Sequence, residues 1–231
     1  MTYTEALEYL HSTTWLGSRL GLERTQDLLR RLGDPHKNLR YVHIAGTNGK
    51  GSTAAMLASI LTQAGFLTGL ATSPSLYRLN ERMQVNGKPI GDEELAELMT
   101  TVKAAADPMD EPPTEFELIT ALSFLYFLKN HCDIVVLEVG LGGRLDSTNV
   151  IECNEAAVIT TIGLDHTEFL GTTLEAIARE KAGIIKQASE VVLSGGQDLS
   201  VEKAVRDAAA AQGAHLSIAE PSAVLLREET I

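Results

Sequence analysis

A run of glycines, hydroxyl residues and one lysine has the composition of a phosphate-binding loop. It consists of Gly46, Thr47, Asn48, Gly49, Lys50, Gly51, Ser52 and Thr53. A β-branched run precedes it and a helical pattern follows it, so backbone N–H groups at a helix N-terminus would face the phosphates. Lys50 would reach the β- and γ-phosphates, and Ser52 or Thr53 would face Mg²⁺. The spacing is not the common Walker A, since Ile44 stands where its first glycine is expected and Gly51 follows the lysine.

A second group of polar residues follows the other predicted strands. It consists of Ser73, Pro74, Glu138, Asp165, His166 and, in the next helix, Lys181. Each has a structural explanation when taken alone: a solvated carboxylate at a strand end, a turn with a surface histidine, or a lysine on a solvated helix face. Together they fit a Mg·ATP site, because such a site draws phosphate donors and oxygen ligands from neighbouring strands.

The elements that would position these residues alternate along the chain. Strands are predicted at 41–45, 67–72, 133–139, 156–162 and 190–194. Helices are predicted at 4–11, 22–32, from the phosphate loop to 64, and at 92–106, 114–130, 174–187 and 199–212, whereas 73–91 has no helical period. This βαβ alternation predicts a three-layer α/β fold with a mainly parallel sheet, whose ligand lies beyond the carboxyl ends of the strands.

Charge and composition exclude several classes of protein. The 231 residues carry a net charge of −12, with a sequence pI near 4.9, which argues against nucleic-acid and anionic-membrane partners. The apolar run 118–128 is too short to cross a membrane and predicts a buried helix. The two cysteines match no metal spacing, and the N-terminus lacks a signal-peptide pattern. We therefore expect a cytoplasmic protein, and a monomer.

Several motifs resemble the folylpolyglutamate synthase/dihydrofolate synthase family, a branch of the Mur-ligase superfamily. They are Gly46 to Ser52, Leu137 to Asn149, Leu164-Asp165-His166, Glu180 to Ile184, Ser73 to Leu76 with Asn80-Glu81-Arg82, and Thr114 to Glu117. They occur in the family's order and cover nearly the whole chain. The resemblance implies a P-loop ATPase domain of Mur-ligase type.

The resemblance also implies roles for individual residues. The loop from Gly46 to Thr53 would bind ATP, with Lys50 as a catalytic residue. Ser52 and Glu138 would be ligands of one Mg²⁺. A second Mg²⁺ would be held by Ser73, Glu138 and His166. His166 and Lys181 would also be catalytic, with Lys181 matching the lysine that the family carbamylates. The pterin substrate would contact Ser73, Pro74, Glu81 and Arg82.

Two features depart from the family pattern. Ser75 stands where many members carry histidine. The sequence ends at Glu228-Glu229-Thr230-Ile231, whereas the family continues into a C-terminal domain that binds the incoming amino acid. We therefore expect residues 1–231 to form an ATP-binding domain that is incomplete at its C-terminal end, as a fragment or a natural short form.

The implied activity is ATP-dependent addition of L-glutamate to folate or dihydropteroate through an acyl phosphate. The alternatives are a Mur-type ligase for another carboxylate, a small-molecule kinase, and a truncated, non-catalytic ATP-binding module. The sequence does not distinguish dihydropteroate from a reduced folate.

Overall fold

The computed structural model describes residues 1–17 and 19–220. Its helices are α1 (Tyr3–Ser12), α2 (Glu23–Arg31), α3 (Lys50–Gln63), α4 (Asp92–Ala106), α5 (Glu115–Lys129), α6 (Thr167–Leu170), α7 (Leu174–Ala182) and α8 (Leu199–Ala211). Its strands are β1 (Tyr41–Ala45), β2 (Thr68–Ala71), β3 (Met83–Val85), β4 (Lys88–Pro89), β5 (Ile134–Glu138), β6 (Ala156–Ile159), β7 (Glu190–Ser194) and β8 (His215–Ala219).

The strands form one eight-stranded sheet in the order β4-β3-β2-β5-β1-β6-β7-β8. β2, β5, β1, β6, β7 and β8 are parallel, and the β3–β4 hairpin is antiparallel at one edge. All five residues of β1 and of β5 are buried, as expected for central strands covered on both faces. The predicted mainly parallel α/β sheet is confirmed.

Helices cover both faces of the sheet. On one face, α1, α2, α4 and α5 enclose the largest apolar cluster, which includes Tyr41 of β1. On the opposite face, α3 packs against Val42 and Ile44 of the same strand. A further cluster joins α7 and α8 to β6 and β7. The result is a helix–sheet–helix arrangement with β1 at its centre.

Local sequence explains where α5 begins. The Thr114 hydroxyl accepts from the Glu117 N–H at 3.3 Å, and the Glu117 carboxylate accepts from the Thr114 N–H at 2.7 Å. This reciprocal pair is a capping box, which satisfies two backbone donors that the first turn leaves free. Glu117 also pairs with Arg24 at 3.0 Å, which joins α5 to α2. The predicted buried helix over 118–128 is confirmed, since these residues lie within α5.

Four elements were not predicted, namely β3, β4, α6 and β8. The segment 73–91 contains β3 and β4, with Asn86 and Gly87 both at positive φ in the turn between them. β8 extends the sheet beyond the last predicted strand.

In the described ranges no helix combines the length and the apolar character that a membrane span requires. Residues 228–231, on which the expectation about the chain end depends, lie outside the described residues.

Candidate functional site

The carboxyl ends of the central strands surround one cleft of about 440 Å³. Its walls include Arg19, Lys50, Ser73, Pro74, Arg82, Phe116, Asp146 and His166. These residues come from loops that follow β1, β2, β5 and β6, together with the N-terminal segment and the start of α5. The cleft therefore lies where a parallel sheet of this kind places its ligand.

The phosphate loop connects β1 to α3, as predicted. Gly49 is in the left-handed conformation, with φ of 84°, and caps the N-terminus of α3. The loop is fixed to the segment after β6, because the Thr47 N–H donates to the Thr161 carbonyl at 2.8 Å and the Thr160 hydroxyl donates to the Asn48 carbonyl at 2.8 Å. A Cβ on Gly46 would lie 1.8 Å from the Thr160 Oγ1, so this close approach requires glycine. Ser52 is exposed and Thr53 half-buried in the first turn of the helix.

Two predicted lysines converge on one backbone carbonyl. Lys181 Nζ donates to the Gly46 carbonyl at 2.8 Å, and Lys50 Nζ donates to the same oxygen at 3.1 Å. Lys181 is only 4% exposed, although it lies in the charged stretch of α7. Burial, reinforced by the charge on Lys50, lowers the pKa of Lys181 to about 8. A buried amine of this kind is neutral far more often than a surface lysine.

Gly143, in the loop after β5, lies against the backbone of the α7 turn that carries Lys181. A Cβ on Gly143 would lie 2.6 Å from the Glu180 carbonyl oxygen and 2.9 Å from the Lys181 Cα. The Arg144 N–H donates to that carbonyl at 2.8 Å. The loop after β5 therefore packs directly against the turn of α7 that carries the lysine.

Glu138 supplies a buried carboxylate beside the phosphate loop. Its Oε2 accepts the Ser73 N–H at 3.0 Å, and both carboxylate oxygens lie near Gly51. Burial raises the pKa of Glu138 above its usual range, although the Ser73 N–H and the charges on Lys50 and Arg82 oppose this shift. An ionised carboxylate held here fits a cation.

The predicted metal ligands lie around the Glu138 carboxylate and in the cleft wall. The described residues contain no group of three or more histidine, cysteine, aspartate or glutamate side chains placed to hold a metal. Mg²⁺ commonly takes one or two carboxylates and completes its shell with water and substrate phosphates. The single carboxylate of Glu138, with Ser73 next to it and Ser52 in the first turn of α3, suits that pattern. His166 is half exposed, with its Nε2 3.6 Å from Asp165 Oδ2, and it lies in the cleft wall.

The predicted substrate residues lie in one loop between β2 and β3. Pro74 and Arg82 line the cleft, and the Arg82 guanidinium lies 5.4 Å from the centre of the Phe116 ring. Glu81 is not among the residues that line the cleft. Its carboxylate accepts the N–H groups of Leu76, Tyr77 and Arg78 at 2.9, 3.2 and 3.1 Å and so closes the loop on itself.

Comparison with known proteins identifies the family. A family model described as the Mur ligase middle domain matches residues 44–220. The chain belongs to the Mur ligase family. Within it, the chain is 43% identical to a Bacillus subtilis dihydrofolate synthase/folylpolyglutamate synthase, over 99% of this chain and 54% of that protein. This confirms the branch that the sequence motifs indicated.

Solved structures agree with this Mur ligase assignment. A folylpolyglutamate synthase complex with AMPPCP and folate has a TM-score of 0.88 and 40% identity over 94% of this chain and 54% of that one. An Escherichia coli enzyme in complex with DHPP and ADP has a TM-score of 0.85 and 37% identity, covering 94% of this chain and 51% of that one. The chain thus spans about half the length of the relatives it matches.

Asp146 and Arg19 are among the cleft-lining residues that the sequence did not single out. Asp146 occurs within the motif over 137–149, and its carboxylate is buried in the cleft wall, where Oδ2 accepts the Leu141 N–H at 2.7 Å. Arg19 also lines the cleft, and its carbonyl accepts from Arg24 at 3.2 Å. The motif around Asp146 could have found the first residue, whereas no local pattern marks Arg19.

Proposed function

We propose that this chain is the ATP- and acceptor-binding part of a ligase that joins L-glutamate to the carboxylate of folate or dihydropteroate. The observation that carries this proposal is the continuity of the cleft. Lys50 lies on its wall together with Pro74 and Arg82. A nucleotide on the phosphate loop and a carboxylate substrate against the opposite loop would therefore have their reacting ends close together.

What the relatives bind supports this choice of substrates. The folylpolyglutamate synthase structure that resembles this chain holds an ATP analogue together with folate, and the E. coli structure holds ADP with DHPP. Both ligand classes are anionic. In a chain of net charge −12, Lys50, Arg82 and Arg19 concentrate positive charge in the cleft.

The chemistry balances as two transfers. A carboxylate oxygen of the acceptor forms a bond to the γ-phosphorus as the bond to the bridging oxygen breaks and ADP leaves. The glutamate amine then attacks the acyl carbon, loses a proton and expels inorganic phosphate. Lys50 neutralises charge on the transferring phosphoryl group, and Glu138 with Ser52, Ser73 and His166 would hold Mg²⁺. Bound Mg²⁺ supplies charge neutralisation at the phosphate oxygens, as is general in phosphoryl transfer.

Lys181 suits the carbamylation that the family resemblance implies. A neutral amine adds CO₂ and loses a proton, which replaces a cation by an anion. The buried position of Lys181 and its pKa of about 8 favour the neutral amine that this addition needs. The carbamate would lie next to the phosphate loop, where an anion could help to hold metal. The cytoplasmic location and the monomeric state remain predictions.

The deciding experiment measures ADP release with Mg·ATP and either dihydropteroate or tetrahydrofolate, with and without L-glutamate. Mass analysis of the pterin product accompanies it, and the assay is run on this chain and on any longer product of the same gene. Glutamate-dependent ADP release with a glutamylated pterin supports the proposal and identifies the acceptor. A phosphorylated product formed without any amine would indicate a kinase. ATP binding without turnover in either chain would favour a non-catalytic module.

A further inference from the structure

A chain of buried hydrogen bonds runs from the central strand to the cleft wall. His43, in the middle of β1, is completely buried, and its Nε2 lies 2.9 Å from the Thr148 Oγ1. The Thr148 hydroxyl lies 2.5 Å from Asp146 Oδ1, and the other carboxylate oxygen accepts the Leu141 N–H at 2.7 Å. Asp146 and Leu141 both line the cleft, whereas His43 and Thr148 lie behind it.

The identity of the donors and acceptors shows which group donates in each of these hydrogen bonds. Burial raises the pKa of Asp146 above its usual range, and the hydrogen bonds that its two oxygens accept oppose this shift. Oδ1 accepts the Thr148 N–H at 3.0 Å, and Oδ2 accepts the Leu141 N–H at 2.7 Å. Oδ1 therefore already serves as an acceptor towards Thr148, and the Thr148 hydroxyl donates its single hydrogen to the same oxygen. That hydroxyl must then accept from His43, which requires the hydrogen on Nε2.

The other ring nitrogen leads to the same tautomer. His43 Nδ1 is buried and has no hydrogen-bond partner within the described part of the chain. A hydrogen there would be an orphaned buried donor, which costs more than an unshared lone pair. Burial and the nearby charge on Lys186 lower the pKa of His43 to about 3, so the ring is neutral. Two independent observations therefore select the neutral ring with the hydrogen on Nε2.

We propose that His43 is a positioning residue for the acceptor pocket: by donating from Nε2 to Thr148, it holds the Asp146 carboxylate and, through it, the Gly140–Leu141 turn. This positioning role depends on the proposed function in one respect only, namely the identity of the ligand that the pocket binds. Without the His43 donor, the Thr148 oxygen loses one of the two hydrogen bonds that fix its position, and its hydroxyl then holds the Asp146 carboxylate less firmly. His43 touches no substrate in this arrangement.

A matched pair of substitutions separates positioning from simple packing. The amide nitrogen of glutamine in His43→Gln takes the place of Nε2 and can still donate to Thr148, whereas that of asparagine in His43→Asn takes the place of Nδ1 and cannot. A second pair acts on the other partner, since Thr148→Ser keeps the hydroxyl and Thr148→Val removes it. Thermal unfolding of all four variants shows which of them fold, and the Thr148 pair still decides if His43→Asn does not.

Two measurements on the unliganded protein directly test the hydrogen bonds from His43 through Thr148 to Asp146. Long-range ¹H–¹⁵N NMR of labelled histidine rings should show His43 with its hydrogen on Nε2 near neutral pH, and the loss of those signals in His43→Gln assigns them among the six histidines. Hydrogen exchange of the Leu141 amide should be about tenfold faster in His43→Asn and Thr148→Val than in their conservative counterparts, since a hydrogen bond to a charged group is weakened.

A third measurement tests the consequence for the ligand. The dissociation constant of dihydropteroate should rise about tenfold in His43→Asn and Thr148→Val and stay within about twofold in His43→Gln and Thr148→Ser. The dissociation constant of Mg·ATP should not change in any variant. A hydrogen on Nδ1 of His43 would overturn the positioning role. So would equal Leu141 exchange rates and equal dihydropteroate dissociation constants within each matched pair. Failure of the unsubstituted chain to bind dihydropteroate would count against the proposed function alone, because the ring and amide measurements need no ligand.

Discussion

The two long walls of the cleft are built in different ways. The phosphate loop is fixed by backbone hydrogen bonds to the segment after β6 and by the Lys181 side chain, and Gly46 has no room for a Cβ. The loop between β2 and β3 instead closes on one carboxylate, that of Glu81, and exposes apolar side chains at its tip. Leu76 is 86% exposed and Tyr77 92% exposed.

This difference follows from what each wall must recognise. Phosphate oxygens are bound by backbone N–H groups, so the nucleotide wall needs one fixed backbone shape. The other wall faces a larger organic acceptor and is anchored to the rest of the protein at its second half, where Asn80 accepts from the Tyr3 hydroxyl at 2.7 Å and Arg78 pairs with Asp92 at 2.8 Å. We therefore expect substitutions in the first wall to affect the nucleotide and those in the second to affect the acceptor.

The largest expected effect is that of Lys50→Ala. Removing the phosphate-loop ammonium should lower ATP turnover by at least about 100-fold, the magnitude seen when one group that stabilises transition-state charge is lost. Circular dichroism should be unchanged, because the hydrogen bonds of the lysine within the described residues go to carbonyls of its own loop. Lys203→Ala, on the exposed face of α8, is the control. Near-normal turnover in Lys50→Ala would refute the phosphate assignment.

Lys181→Ala should have the next largest effect. It removes the buried amine beside the phosphate loop, and if that amine is carbamylated, added short-chain carboxylates should restore part of the lost turnover. ¹³C NMR with labelled bicarbonate should show a carbamate signal that grows as pH rises through about 8, because only the neutral amine reacts and the pKa of Lys181 is about 8. Full activity of the variant, or no carbamate signal at pH 9, would dismiss the modification.

Glu138→Gln should act on the metal requirement. The amide keeps the size of the side chain but lacks the negative charge, so the Mg²⁺ concentration needed for half-maximal turnover should rise about tenfold. Glu180→Gln provides a comparison, because that carboxylate pairs with Arg144 at the surface and lies outside the cleft wall. An unchanged Mg²⁺ titration in Glu138→Gln would remove this residue from the metal site.

The smallest effect is expected from Glu81→Ala. The three N–H groups that the carboxylate now accepts would turn to water, and the loop would lose its fixed shape. The KM for the pterin should rise a few-fold while the KM for ATP stays the same. Equal changes in both constants would contradict the separate roles of the two walls.

The two walls also differ in how well the sequence predicts them. The phosphate loop was found from sequence because its strand, glycines, lysine and helix are adjacent in the chain, and the predicted strand at 41–45 is confirmed. The hairpin that follows the second wall was missed, although Asn86-Gly87 is a known hairpin signal. β8 was missed because it is only five residues long and carries just two large apolar side chains, Leu216 and Ile218. His43 meets Thr148 and Asp146 only through the fold, since His43 and Thr148 are separated by 105 positions.

The most direct test follows the oxygen atoms of the acceptor carboxylate. Dihydropteroate labelled with ¹⁸O at both carboxylate oxygens is incubated with Mg·ATP and L-glutamate, using whichever chain releases ADP in the turnover assay, and the released phosphate is analysed by mass spectrometry. Attack of the carboxylate on the γ-phosphate, followed by amide formation, predicts one ¹⁸O atom in each phosphate. Phosphate without the label would mean that water receives the phosphoryl group, and it would contradict a cleft that joins the nucleotide to the acceptor.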